Sequence, residues 1–186
     1  MFIQTEATPN PATLKFLPGR TVLAEGTRDY RSAAEAAESP LAERIFAVPG
    51  VEGVFLGSDF ITVSKSAGDW AHLKPVILAA ILEHYLSGAP VLSASAATAD
   101  QGDDEFYDEA DAEIVGTIKE LIETRVRPAV ANDGGDITFQ GFRDGVVYLH
   151  MRGACSGCPS STATLKNGIE NLLRHFVPEV EEVRPI

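Results

Sequence analysis

Cys155 and Cys158 are the two cysteines of this 186-residue chain, set as C-x-x-C within Met151-Arg-Gly-Ala-Cys155-Ser-Gly-Cys158-Pro-Ser-Ser161. Pro159 suits the first position of a helix, which puts Cys158 at the N-cap. There the unpaired first-turn amides and the positive end of the helix dipole favour a thiolate over a thiol. Gly153 and Gly157 let the backbone bend closely around whatever the sulfurs hold. Two cysteines are too few for the disulfide framework of a small secreted fold, so the pair reads as chemistry.

Four uses compete for such a pair. An iron-sulfur cluster needs four thiolates, and two copies of the chain meeting at this loop across a twofold axis would supply them. A cluster held that way sits at an edge, which suits delivery more than storage. A dithiol-disulfide oxidoreductase also uses C-x-x-C at a helix start. Against it stand the Ser-Gly between the cysteines, the lack of an aromatic residue just before Cys155, and the lack of a parallel βαβ unit leading into it. Zinc needs four ligands, and His150 and His175 lack the spacing that completes a finger. A pair of merely structural cysteines is the fourth use.

The elements that must position the pair are read from periodicity and breakers. Ile114, Ile118, Leu121, Ile122 and Val126 mark one face of a helix over 113–127 that Pro128 ends. Runs at 137–142 and 146–151 flank Arg143-Asp144-Gly145, a strong hairpin turn; Ile137 and Phe139 point to one face, as do Val147, Leu149 and Met151. Asn132-Asp-Gly-Gly-Asp136 is the turn into the first of these strands. It matches neither dinucleotide nor P-loop glycine patterns. Beyond the cysteines, Leu165, Ile169, Leu172, Leu173 and Phe176 stripe a last helix that runs to Pro178.

The preceding half has a similar order. A short leading hairpin involves Phe2, Ile3 and Thr5 with Ala12-Thr-Leu-Lys-Phe-Leu17. Ser39-Pro40 opens a helix carrying Leu41, Ile45, Phe46 and Val48, which Pro49-Gly50 stops. Strands at 51–56 and 60–64 flank Gly57-Ser-Asp59. Asp69 caps a helix from Trp70 to Ser87, stopped by Gly88, in which Pro75 introduces a kink or a late start. The chain is thus an α+β protein of two domains, each a small sheet packed with helices, joined by an acidic flexible linker. The boundaries are 1–88, a linker at 89–109, and 110–186 with the C-x-x-C.

The chain carries 15 basic and 27 acidic residues, a net charge of −12. That sign disfavours nucleic acid and anionic membrane surfaces as partners. Residues 98–113 hold eight acidic residues and no basic one, so much of the charge belongs to the expected linker. The longest apolar run, from Val76 to Leu82, falls far short of a membrane span, and residues 1–11 do not read as an export signal. His72, His84, His150 and His175 are expected at the surface or satisfied in the core. No carboxylate pair invites general acid-base catalysis. Trp70, Phe55 and Phe60 are core candidates. Arg125, Arg127, Arg143 and Arg152 either face acidic clients or solvate the surface.

Arg127-Pro-Ala-Val-Ala-Asn-Asp-Gly-Gly-Asp136, the hairpin from Gly141 to Leu149, Gly153-Ala-Cys-Ser-Gly-Cys-Pro-Ser-Ser-Thr162 and Leu165-Lys-Asn-Gly-Ile169 closely resemble the C-terminal domain of the NifU/Nfu family. Gln4-Thr-Glu-Ala-Thr-Pro-Asn-Pro-Ala-Thr-Leu-Lys-Phe16, Pro49-Gly-Val51 and Asp59-Phe-Ile-Thr-Val63 resemble the N-terminal domain of Nfu proteins from mitochondria and related bacteria. The resemblance implies a non-enzymatic iron-sulfur scaffold or carrier. It would hold a [4Fe-4S] cluster between two subunits, with Cys155 and Cys158 as the ligands of each. Its partners would be a second copy of the chain, apo-protein clients and upstream assembly factors. Thiol-disulfide oxidoreduction is the alternative. The cysteine-free N-terminal domain is expected to choose or hold partners. The start at Met1, without an Arg- and Ser-rich presequence, points to a bacterial cytoplasm in preference to a mature mitochondrial form.

Overall fold

The computed structural model describes residues 1–95, 105–156 and 159–186, and of 159–161 the backbone alone. The chain divides into two compact units, Met1–Asp100 and Gln101–Ile186, each built of sheet and helix.

In the first unit, β1 (Gln4–Ala7), β2 (Thr13–Leu17), β3 (Arg28–Tyr30), β4 (Val51–Leu56) and β5 (Ile61–Lys65) form an antiparallel sheet in the order β1-β2-β5-β4-β3. Phe16, Val54, Leu56, Ile61 and Val63 share a core with Leu41 and Ile45 of α1 (Pro40–Phe46) and Leu73, Ile77 and Ile81 of α2 (Trp70–Ser87). The caps are the expected ones. Ser39 Oγ accepts from the Ala42 amide at 3.2 Å, and the Asp69 carboxylate accepts from the Ala71 amide at 3.1 Å. Pro75 stands inside an uninterrupted α2, where its missing N–H withholds one bond, from the Ala71 carbonyl. β3 has too few residues for an alternating pattern and escapes the sequence reading. After α2 the chain folds back on this unit: Ser39 Oγ donates to the Val91 carbonyl at 2.6 Å, and the Ser93 amide to the Glu38 carbonyl at 2.8 Å.

His84 departs from expectation. It is fully buried on α2, and neither ring nitrogen has a hydrogen-bond partner. Burial, with help from Arg44, holds its imidazole below the usual histidine range.

The second unit opens with α3 (Ala112–Leu121), a π-helical turn (Ile122–Val126) and α4 (Arg127–Asn132). Val115, Ile118, Leu121, Ile122 and Val126 are buried as one stripe. Pro128 does not end this helical run. The Arg127 amide donates to the Ile122 carbonyl, five residues back, and α4 carries Pro128 in its first turn. Pro128 has no N–H to return to Thr124, and the widened turn ahead of it carries the chain past the gap.

β6 (Gly135–Arg143) and β7 (Val146–Gly153) pair antiparallel around Asp144 and Gly145, whose φ angles of 51° and 77° suit the tight hairpin turn. Ile137, Phe139, Val147, Leu149 and Met151 are buried with Ile169 and Leu173 of α5 (Pro159–Phe176). The sequence reading stops at that helix, but the structure adds β8 (Glu182–Pro185), parallel to β7. The parallel β7-α5-β8 unit is completed after the cysteine loop, and the strand pair that leads into Cys155 is the antiparallel β6–β7 hairpin. Among the described residues no helix is long and apolar enough to cross a membrane.

Candidate metal centre

The site is built where β7 ends beside the start of β6. Gly135 pairs with Gly153 across the hairpin, and left-handed backbone at Gly134 (φ 80°) and Gly153 (φ 67°) turns the chain on both strands. The Ala154 amide then donates to the Gly134 carbonyl at 3.2 Å, which lashes the cysteine loop to the turn before β6. Ser156 adds two bonds to the Gly153 carbonyl, from its amide at 3.1 Å and its Oγ at 2.9 Å. From α5, Thr162 Oγ1 donates to the Cys155 carbonyl at 3.0 Å.

Cys155 lies at 6% exposure within the apolar core of this unit, its sulfur packed over Gly135. A Cβ at residue 135 would stand 2.6 Å from Sγ and 2.7 Å from the Arg152 carbonyl oxygen. Burial pushes the Cys155 thiol up to about 12, and the carboxylates of Asp133 and Asp136 add to the effect. At neutral pH this sulfur is a thiol, so binding metal requires loss of its proton. Cys158, the other expected ligand, lies outside the described residues. Among the described residues no three His, Cys, Asp or Glu side chains gather as a metal site.

Asp136 is 4% exposed and is held by Arg127, whose Nε and Nη2 meet Oδ1 and Oδ2 at 2.8 and 3.0 Å. Asp136 Oδ1 also accepts from the Ile137 amide at 2.8 Å. Arg127 Nη1 reaches Glu123 at 2.5 Å. These bonds hold the Arg127 guanidinium charged, its affinity for protons raised above the ordinary value. Arg127 is thus neither a client-facing charge nor a solvating one: it ties α4 to the base of the cysteine loop. Arg125 and Arg143 also have intramolecular roles, over the rings of Phe176 at 5.0 Å and Phe106 at 5.6 Å. The Arg127–Asp136 pair and the Gly135 recess were missed in sequence because each depends on two segments meeting. The nearest signal was the glycine pair before Asp136.

Two family descriptions match the chain, "Scaffold protein Nfu/NifU N terminal" over residues 3–88 and "NifU-like domain" over residues 118–184. The chain is 51% identical to the "NFU1 iron-sulfur cluster scaffold homolog, mitochondrial" of Drosophila sechellia, over all of this chain and 65% of the relative. It is 48% identical to the protein of the same name from Homo sapiens, over all of this chain and 72% of the relative. It is 53% identical to "NifU-like protein 5, mitochondrial" of Arabidopsis thaliana, over 98% of this chain and 67% of the relative. The chain thus spans about two thirds of the length of these relatives. Their mitochondrial labels overturn the assignment to a bacterial cytoplasm. That assignment rested on the start at Met1, and an address is written in a separable segment, not in the packing of the folded units. The two matched domains, in this order along one chain, and the identity over the whole of it place the protein in the Nfu/NifU scaffold family.

Proposed function

We propose that this chain is an iron-sulfur cluster scaffold that holds a [4Fe-4S] cluster between two copies through Cys155 and Cys158 and passes it to apo-proteins. Two thiols per chain against the four a cluster needs is the observation that carries the reading. The names of its relatives support the scaffold role and a mitochondrial setting for it. The proposed domain plan is the N-terminal unit as partner-holding module and the C-terminal unit as cluster carrier.

Transfer is ligand exchange. A client thiolate forms a new bond to iron, the bond from iron to a carrier cysteine breaks, and the released thiolate takes up the proton that the client thiol gave. At Cys155 the site favours that last step, because burial and the nearby carboxylates stabilise the thiol. No substrate is turned over, so the role is that of a carrier.

Anaerobic reconstitution with iron and sulfide, followed by absorption, Mössbauer spectroscopy and mass in solution, tests the proposal. One [4Fe-4S] cluster per two chains is expected, lost in Cys155→Ser and in Cys158→Ser. A colourless monomer that reduces insulin disulfides would overturn it, and zinc retained with no uptake of iron would do the same.

A further inference from the structure

The three-stranded sheet of the second unit runs β6-β7-β8, which makes β6 an edge strand. Edge strands present backbone groups that another extended segment can pair with. Here the chain's own Phe106 occupies that edge. Its amide donates to the Gln140 carbonyl at 3.1 Å, and its carbonyl accepts from the Phe142 amide at 2.9 Å, a parallel bridge opposite Gly141.

The side chain fits a built recess. A Cβ at Gly141 would stand 2.5 Å from the Phe106 ring, so the glycine is the floor on which the ring lies. Tyr148, across the hairpin from Gly141, meets the ring at 5.1 Å between centroids, and the Arg143 guanidinium lies 5.6 Å from its centre. One residue earlier, Glu105 pairs with Lys119 at 2.5 Å. The recess therefore reads an acidic residue followed by an aromatic one, through Lys119 and through the Gly141–Tyr148–Arg143 surface. Among the described residues the occupant is the bridged Phe106, at the end of the stretch expected as linker, and two backbone bonds hold it to the edge as an added strand is held.

We propose that the β6 edge at Gly141 is a docking site for an extended segment of a partner protein in which an acidic residue precedes an aromatic one, and that Glu105–Phe106 closes the site in cis until such a segment displaces it. The proposal stands whether or not Cys155 and Cys158 hold a cluster.

The test uses the full chain and a fluorescent peptide with the sequence of residues 103–109, Asp-Asp-Glu-Phe-Tyr-Asp-Glu. Phe106→Ala empties the recess, and this variant is expected to bind the peptide at least ten-fold more tightly than the wild type. The F106A/G141A double variant, in which the new methyl group fills the recess without meeting Phe106, is expected to lose that gain. So is a peptide with alanine in place of its phenylalanine. Circular dichroism confirms the fold of each variant. Equal binding by wild type and F106A, no binding by folded F106A, or binding unaffected by G141A would each overturn the proposal. A wild-type dimer in sedimentation that F106A converts to a monomer would also overturn it, by assigning the edge to a second copy.

Discussion

The Cys155 sulfur lies in the space left by the side chain that Gly135 lacks: a Cβ there would come within 2.6 Å of Sγ. The first residue of β6 thus sets how deeply the thiol following β7 can sink. That depth makes Cys155 part of the apolar core and holds its proton in place.

Gly135→Ala should therefore push Cys155 outward. The added methyl group also meets the Arg152 carbonyl at 2.7 Å, and a backbone atom in a paired strand cannot swing aside. A loss of about 1–3 kcal/mol in urea unfolding is expected, the usual range for overpacking a fitted site. Faster alkylation of Cys155 should accompany it. A variant as stable and as slow to alkylate as the wild type would contradict the recess.

Cys155 itself should react slowly and with a steep pH dependence. A thiol held near 12, against an ordinary 9.0, exposes about 10³-fold less thiolate at pH 8. In a Cys158→Ser background, iodoacetamide labelling of Cys155 should rise about ten-fold per pH unit through pH 8 to 10 while the protein stays folded. The raised value also carries a stability consequence. The unfolded chain releases this proton from about pH 9 and the folded chain keeps it, so the contribution is fully present below pH 9 and is lost as pH climbs towards 12. Mass spectrometry of the labelled peptide and chemical unfolding from pH 8 to 10.5 check the two effects.

Arg127→Ala would leave the Asp136 carboxylate, 4% exposed, without its bidentate partner. Breaking a buried pair from one side costs about 3–5 kcal/mol, and the partial exposure of Arg127 places this case at the lower end. The second variant, Arg127→Ala with Asp136→Asn, should recover part of the loss, because a neutral amide tolerates burial better than an unpaired carboxylate. A double-mutant cycle by urea unfolding reads the coupling. Additive losses would mean that the pair does not act as a unit.

His84 should make the first unit sensitive to acid. Burial lowers its affinity for protons in the folded state, while the unfolded chain titrates near the ordinary 6.5. The unfolded state therefore binds more protons below about pH 6.5, and stability falls as pH drops through that value. His84→Leu removes both unpartnered ring nitrogens. It should flatten the dependence between pH 7 and 5 and raise stability by about 1 kcal/mol, the scale of relieving a buried unsatisfied polar group. Thermal unfolding of the full chain across that range, followed near the first unit by Trp70 fluorescence, provides the check.

Local features were legible without coordinates because each is decided by residues close in the chain. Ser39 and Asp69 cap the helices after them, Gly88 stops α2, and Asp144-Gly145 turns the β6–β7 hairpin. The alternation of Val147, Leu149 and Met151 names the buried face of β7, and the C-x-x-C spacing marks the cysteines as candidates for chemistry. What stayed hidden depends on segments far apart in sequence. β8 is a strand only because the α5 crossover lays Val183 beside Val147, and four residues cannot announce a parallel pairing on their own. Pro128 reads as a terminator until the π turn before it supplies another path for the backbone. Phe106 sits in an acidic stretch that reads as tether, and only the recess over Gly141 makes it part of the second unit. The sequence by itself thus determined the helix caps, the β6–β7 turn and the buried face of β7. The tertiary structure alone decided the protonation of Cys155, because burial and the approach of Asp133 and Asp136 are properties of packing, not of spacing.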